Sequence, residues 1–184
     1  MRLFVGVPLP EAQRQALGAS LGDLRAELPR LKWVEPALYH LTLQFLGEVT
    51  AARLPAFAAA LDALAGRPRF ALRLGESLRL PPGRRARVFA LALAEGFAPL
   101  AELAGAVTTA TAALGVEPER RPFRAHLTLA RAPREGTLPP ELDAGRWTPP
   151  VLPAWEPDGF TLFESLLHPR GPEYRPCHRV RLNG

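Results

Sequence analysis

The chain has 184 residues, enough for one sizeable core or two small lobes, and its 47% hydrophobic and 22% charged content excludes a disordered protein. No apolar run approaches the roughly 20 residues that cross a bilayer, and "MRLFVGVPLPEAQ" lacks the regions of a signal peptide, so a cytoplasmic protein is expected with no membrane partner. The net charge of +5 rests on 22 arginines and a single lysine, Lys32; this suits a polyanion, but with one Asn, one Met and 21 prolines it equally fits a thermophilic source, so charge alone names no partner.

In chain order, "RLFVGVPLP" reads as a buried strand ended by prolines. Leu17, Leu21, Leu24 and Leu28 then fall at helical spacing, which predicts one helix from Glu11 to Leu28, stopped by Pro29. "LKWV" and "YHLTLQFLG" are strand-like, and Thr50 is placed to cap a second helix carrying Leu54, Phe57, Leu61 and Leu64, closed by Gly66 and Pro68. "FALRLGESLRL", the turn "PPGRR" and "ARVFALALA" predict an antiparallel strand pair. A third helix carries Phe97, Leu100, Leu103, Val107 and Leu114 and stops at Gly115. After "HLTLAR", residues 132–159 read as a proline-rich connection with at most a short helix, followed by "FTLFESLL", a turn at "HPRGPEY" and a last strand in "YRPCHRVRL".

This order contains a repeat. Arg2 and Phe4 precede His40 much as Arg87 and Phe89 precede His126, the arginine lying 38 residues ahead in the first copy and 39 in the second. The period is too long for a solenoid unit, so a duplicated lobe is expected, giving a single bilobal domain over 1–184 with lobe motifs around 2–46 and 87–131. Both copies end in the tetrapeptide His-Leu-Thr-Leu, at His40 and at His126, which takes half of the chain's four histidines.

On a strand His40 and Thr42 project to one face while Leu41 and Leu43 enter the core, and His126 and Thr128 behave alike over Leu127 and Leu129. If the lobes face each other, two imidazoles and two hydroxyls converge on one point. The hydroxyls hydrogen-bond the oxygens of a small anion, and one neutral and one protonated histidine make an acid and base pair for in-line displacement at phosphorus.

These residues resemble the 2H phosphoesterases, and within them the bacterial and archaeal RNA 2′,3′-cyclic phosphodiesterases once called 2′-5′ RNA ligases. The likeness rests on "RLFVGVPLP", "WVEPALYHLTLQFLGEV", "RPFRAHLTLAR" and, more loosely, "LFESLLHPRGPEYRP". It implies a bilobal duplicated α+β fold, with two antiparallel sheets lining a central cleft and helices outside, and no metal or other cofactor. It further implies hydrolysis of RNA or nucleotide 2′,3′-cyclic phosphate ends to 2′-phosphomonoesters. His40 would be the proton donor, His126 the proton acceptor, Thr42 and Thr128 would hold the phosphate, Arg131 would touch it, and Phe45 would lie near the base. Both Arg131 and Phe45 sit five residues after a motif histidine, an odd offset, so each needs a bulge or strand end to reach the cleft. The alternatives are ATP-independent, reversible 2′-5′ RNA end joining at the same site, or a non-catalytic RNA- or nucleotide-binding module.

The substrate expected is therefore an RNA end or a small cyclic nucleotide, acted on by a monomer. Arg84, Arg85 and Arg87, with Arg120, Arg121 and Arg124, are candidates for an RNA rim, Arg124 being only two residues before His126. Trp33, Trp155 and Tyr174 are read as packing residues before stacking platforms. His168 and His178 have no metal-ligand spacing, Cys177 is read as a reduced thiol, and no phosphate-binding glycine loop is present.

Overall fold

The computed structural model describes residues 1–142, 146–168 and 171–183. Alternation in "RLFVGVP" becomes strand β1 (Arg2–Pro8), with Leu3, Val5 and Val7 at most 1% exposed. The predicted first helix is two: α1 (Glu11–Ser20) and α2 (Gly22–Glu27), interrupted at Leu21, whose N–H reaches the Gly18 carbonyl at 3.3 Å. The weak helix formers Gly18, Ser20 and Gly22 crowd this stretch. Gly18 is fixed by packing, because a Cβ there would stand 2.5 Å from Pro36 Cγ in the short 3-10 turn Pro36–Leu38.

Strand β2 (Lys32–Trp33) precedes β3 (His40–Glu48). Thr50 makes no side-chain cap bond; a 3-10 turn over Ala51–Arg53 starts helix α3 (Leu54–Asp62), with Pro55 in its first turn, and the helix ends before Leu64. Hairpin strands β4 (Arg73–Leu80) and β5 (Val88–Glu95) and helix α4 (Phe97–Ala112) follow the expected order, as do β6 (Leu127–Arg131), β7 (Gly159–His168) and β8 (Gly171–Arg181). The connection after β6 holds a 3-10 turn at Pro140–Leu142; residues 143–145 of it, and Pro169 and Arg170 of the expected turn "HPRGPEY", lie outside the described residues.

The strands order as β4-β5-β6-β3-β1-β7-β8, with β2 also on β6, and every pairing between them is antiparallel. The fold is the duplicated α+β fold. In place of two separate sheets the strands form one eight-stranded sheet, whose halves β3-β1-β7-β8 and β4-β5-β6-β2 are joined at one residue pair, Leu41 with Leu127. Helix α4 covers the core face of the first half, where Thr111 donates to the buried Gln44 Oε1 at 2.7 Å. Helix α1 reaches the second half through Trp147, whose indole N–H donates to the Ser20 carbonyl and whose ring stands edge-on to Phe89.

Register corrects the repeat by one residue. Phe4 pairs with Phe45, the fifth residue after His40, whereas the strand partner of Arg131, the fifth after His126, is Val88. Val88 is therefore the counterpart of Phe4, and Phe89 that of Val5. Phe89 faces the core against Trp33 and Trp147; Phe4 faces the opposite side. A one-residue shift exchanges the faces of a strand, so a match by residue type pairs two phenylalanines that point apart.

Candidate active site

The Leu41–Leu127 pair holds the two motifs together. Antiparallel pairing at that point sets His40 beside Thr128 and Thr42 beside His126, all four on the face opposite the leucines, about a local twofold axis. Directly opposed side chains in such a pair start roughly 5 Å apart. Leu41 and Leu127 are buried, and the histidines and threonines are half-buried.

Both strands then carry the same bulge. Thr42 pairs with Gly6 and Gln44 with Val5, leaving Leu43 as the extra residue; Thr128 pairs with Ala90 and Ala130 with Phe89, leaving Leu129. The bulge inverts the alternation. Gln44 and Ala130 turn into the core beside Leu43 and Leu129, and Phe45 and Arg131 emerge on the face of the histidines. The condition that the odd offset imposed is met by the fourth residue of each motif.

Each imidazole is oriented by the same local bond. His40 Nδ1 is 2.7 Å from the Leu38 carbonyl and His126 Nδ1 is 2.8 Å from the Arg124 carbonyl, both two residues upstream. A carbonyl only accepts, so Nδ1 carries the proton and Nε2 is left to exchange one. His40 Nε2 lies 3.0 Å from Thr42 Oγ1. Burial holds His40 below the ordinary histidine range; the Leu38 carbonyl opposes this, and the charges of Arg131 and His126 add to it. His126 is lowered for the same first reason, opposed by the Arg124 carbonyl and helped by the Arg131 and Arg124 guanidiniums. Arg131 thus bears on both histidines.

The walls differ. Around His40 stand Phe4 at 4.9 Å between ring centres, Tyr174 edge-on at 5.2 Å and Phe163 at 6.4 Å, and Phe45, 64% exposed, extends this wall from Phe4. Gly6 makes room, since a Cβ there would meet the His40 ring and the Leu41 carbonyl, each at 3.1 Å. Tyr174 is raised above its ordinary value by burial, against the pull of Arg131 and Arg2. Around His126 the neighbours are Arg124 and Arg131. Of the residues around His40, Gly6 and Phe163 carry no sequence signal of their own, and Phe4 enters the sequence analysis only as a marker of the repeat. With Leu3, Val5 and Val7 assigned to the core, alternation alone puts Phe4 and Gly6 on the cleft face.

The expected arginine rim divides. Arg87 is committed to the Pro133 and Arg134 carbonyls at 2.8 and 2.7 Å, and Arg121 to Glu119. Arg84, Arg85, Arg120 and Arg124 are exposed. Trp33 and Trp155 pack against the core, His168 pairs with Glu173 at 3.2 Å and His178 with Asp62 at 2.7 Å, and Cys177 is half-buried on β8. Among the described residues no three of His, Cys, Asp and Glu are grouped to hold a metal ion, and no helix is long and apolar enough to cross a membrane.

Duplicated halves presenting one His-x-Thr each to a shared cleft define a two-histidine phosphoesterase. The model of the LigT-like phosphoesterase family matches the chain twice, over residues 7–90 and 91–174, and the chain belongs to this family of enzymes. The chain is 38% identical to an RNA 2′,3′-cyclic phosphodiesterase of Thermus thermophilus over 195 aligned positions, covering all of this chain and 91% of that one. Its fold is similar to the crystal structure of TT0787 of Thermus thermophilus (TM-score 0.81, 31% identity, 100% and 99% covered). It is also similar to Escherichia coli LigT complexed with 3′-AMP (TM-score 0.78, 28% identity, 100% and 98% covered).

Proposed function

We propose that the protein hydrolyses 2′,3′-cyclic phosphate ends of RNA or nucleotides to 2′-phosphomonoesters by histidine acid and base catalysis. The observation that carries this is the pair of imidazoles oriented alike across the Leu41–Leu127 bridge, with Nε2 left for proton exchange on each and one arginine serving both. The names of the relatives support the substrate class, and the 3′-AMP complex of LigT supports a nucleotide as ligand.

In this reading Thr42, Thr128 and Arg131 hold the non-bridging oxygens of the cyclic phosphate. Neutral His126 takes a proton from a water on one side of phosphorus, and the resulting oxygen attacks in line. The bond from phosphorus to the 3′ oxygen breaks opposite it, and protonated His40 gives its Nε2 proton to the departing 3′ oxygen. The phosphate stays on the 2′ oxygen. Arg131 stabilises the charge on the non-bridging oxygens in a half-buried site, where such contacts weigh more than in water. The wall of Phe4 and Phe45 takes the base, and Arg124 lies beside the attacking side.

The test is phosphorus NMR of an oligoribonucleotide ending in a 2′,3′-cyclic phosphate, incubated in EDTA with wild type, His40→Ala and His126→Ala. Wild type is expected to give a 2′-phosphate, and each variant to be slower by on the order of 10²- to 10⁴-fold. An unopened ring with wild type, or equal rates in all three, would overturn the reading.

A further inference from the structure

The chain's one lysine stands in a position that stability alone does not favour. Lys32 on β2 is the strand partner of Arg131 on β6, so the two cations leave the sheet on the same face. That face is the cleft: Trp33, next to Lys32, pairs with the buried Ala130 and turns into the core, and the bulge at Leu129 directs Arg131 to the side of His126. Like charges directly opposite each other weaken an antiparallel pair. Both side chains are exposed, and among the described residues neither has an ion pair or a side-chain hydrogen bond. An acid was within reach of the same segment, yet Glu35 is engaged by Arg25 at 2.6 Å, as Glu27 is by Arg146 at 2.7 Å. The charges behind β2 are matched, and those on its cleft side are left open to an anion.

We propose that Lys32 binds a second phosphate of the substrate, the phosphodiester that joins the cyclic-phosphate nucleotide to the rest of an RNA chain. This rests on the cyclic-phosphate reading above and assigns it a preferred substrate, an oligonucleotide end over a free mononucleotide. Arg131 already bears on both histidines, which ties it to the reacting group. Lys32 leaves the same residue pair on a separate long stem, so its head reaches a neighbouring anion while Arg131 keeps the first. Exposed Arg124 lies on the same lobe, and the opposite wall is the aromatic one around His40. A terminal nucleotide with its base on the aromatic side has its upstream phosphate on the cationic side.

The experiment compares kcat/KM for a mononucleotide 2′,3′-cyclic phosphate and for a tetranucleotide with the same end, in wild type, Lys32→Gln and Lys32→Arg, at several salt concentrations. The expected result is a ratio of tetranucleotide to mononucleotide that falls about tenfold in Lys32→Gln and returns in Lys32→Arg. The salt slope for the tetranucleotide should become shallower by about 0.7, the loss of one contact to a single strand. An unchanged ratio in Lys32→Gln, or a fall that Lys32→Arg does not restore, would overturn the proposal. If wild type opens neither substrate, the hydrolytic reading fails instead. Fluorescence anisotropy with a labelled 3′-phosphorylated tetranucleotide then still decides on Lys32, by whether the substitution weakens binding and its salt slope.

Discussion

His40 has Phe4, Phe163 and Tyr174 around its ring, whereas His126 has Arg124 and Arg131 beside it, so two copies of one tetrapeptide work in different surroundings. Both imidazoles are nevertheless shifted the same way, below about 6.5, chiefly because burial disfavours the charged ring. A reaction that needs one neutral and one protonated histidine is most efficient between their two values. For kcat/KM those values belong to the free enzyme, so its optimum is expected below pH 6.5. A bound phosphate brings a negative charge that favours protonation, so the bell in kcat should lie at higher pH than the bell in kcat/KM. Rate profiles from pH 4.5 to 9 decide this. A kcat/KM optimum above pH 7 would mean that burial does not set the free-enzyme values, and two coincident bells would mean that the bound phosphate does not shift them.

At the scale of the element, the motif is more than its four letters. Alternation in His-Leu-Thr-Leu is legible in sequence, and so are the strands, because Leu41, Leu43, Leu127 and Leu129 are plain core positions. The bulge is not legible there. It exists only against a partner strand, and nothing in "HLTLQF" or "HLTLAR" marks the leucine that has no partner. For the same reason a match by residue type sets the repeat one residue out, and the break between α1 and α2 is marked only by the weak helix formers Gly18, Ser20 and Gly22 around Leu21. The β1–β3 pairing also explains a glycine that composition could not single out. Gly6 faces Thr42 across the strands, and a Cβ there would press on the His40 ring at 3.1 Å. Gly6→Ala is expected to displace the ring by a few tenths of an ångström and lower kcat by about tenfold, since small misplacements near the reacting atoms are costly. Because the same Cβ also meets the Leu41 carbonyl at 3.1 Å, only a modest fall in the urea midpoint is expected beside the loss in kcat. A large fall in stability with kcat retained would show that the residue serves the sheet and not the histidine.

For the whole molecule, the decisive feature is how little joins the two halves of the sheet. One pair, Leu41 with Leu127, makes them continuous, and the helices then reach from one half to the other, α4 to Gln44 on β3 and α1 to Trp147 beside Phe89. The four motif side chains stand directly beside this bridge. The site is therefore a property of the junction, and neither half carries both histidines. Catalytic groups that act as a unit have strongly non-additive effects. The double variant His40→Ala/His126→Ala should accordingly be slower than the slower single variant by less than about tenfold, far short of the product of the two losses. Kinetics of the four proteins on one cyclic-phosphate substrate, under identical conditions, provide the measurement. Full multiplicativity would mean that each histidine contributes independently, and the shared-phosphate geometry across the Leu41–Leu127 bridge would then not describe the working enzyme.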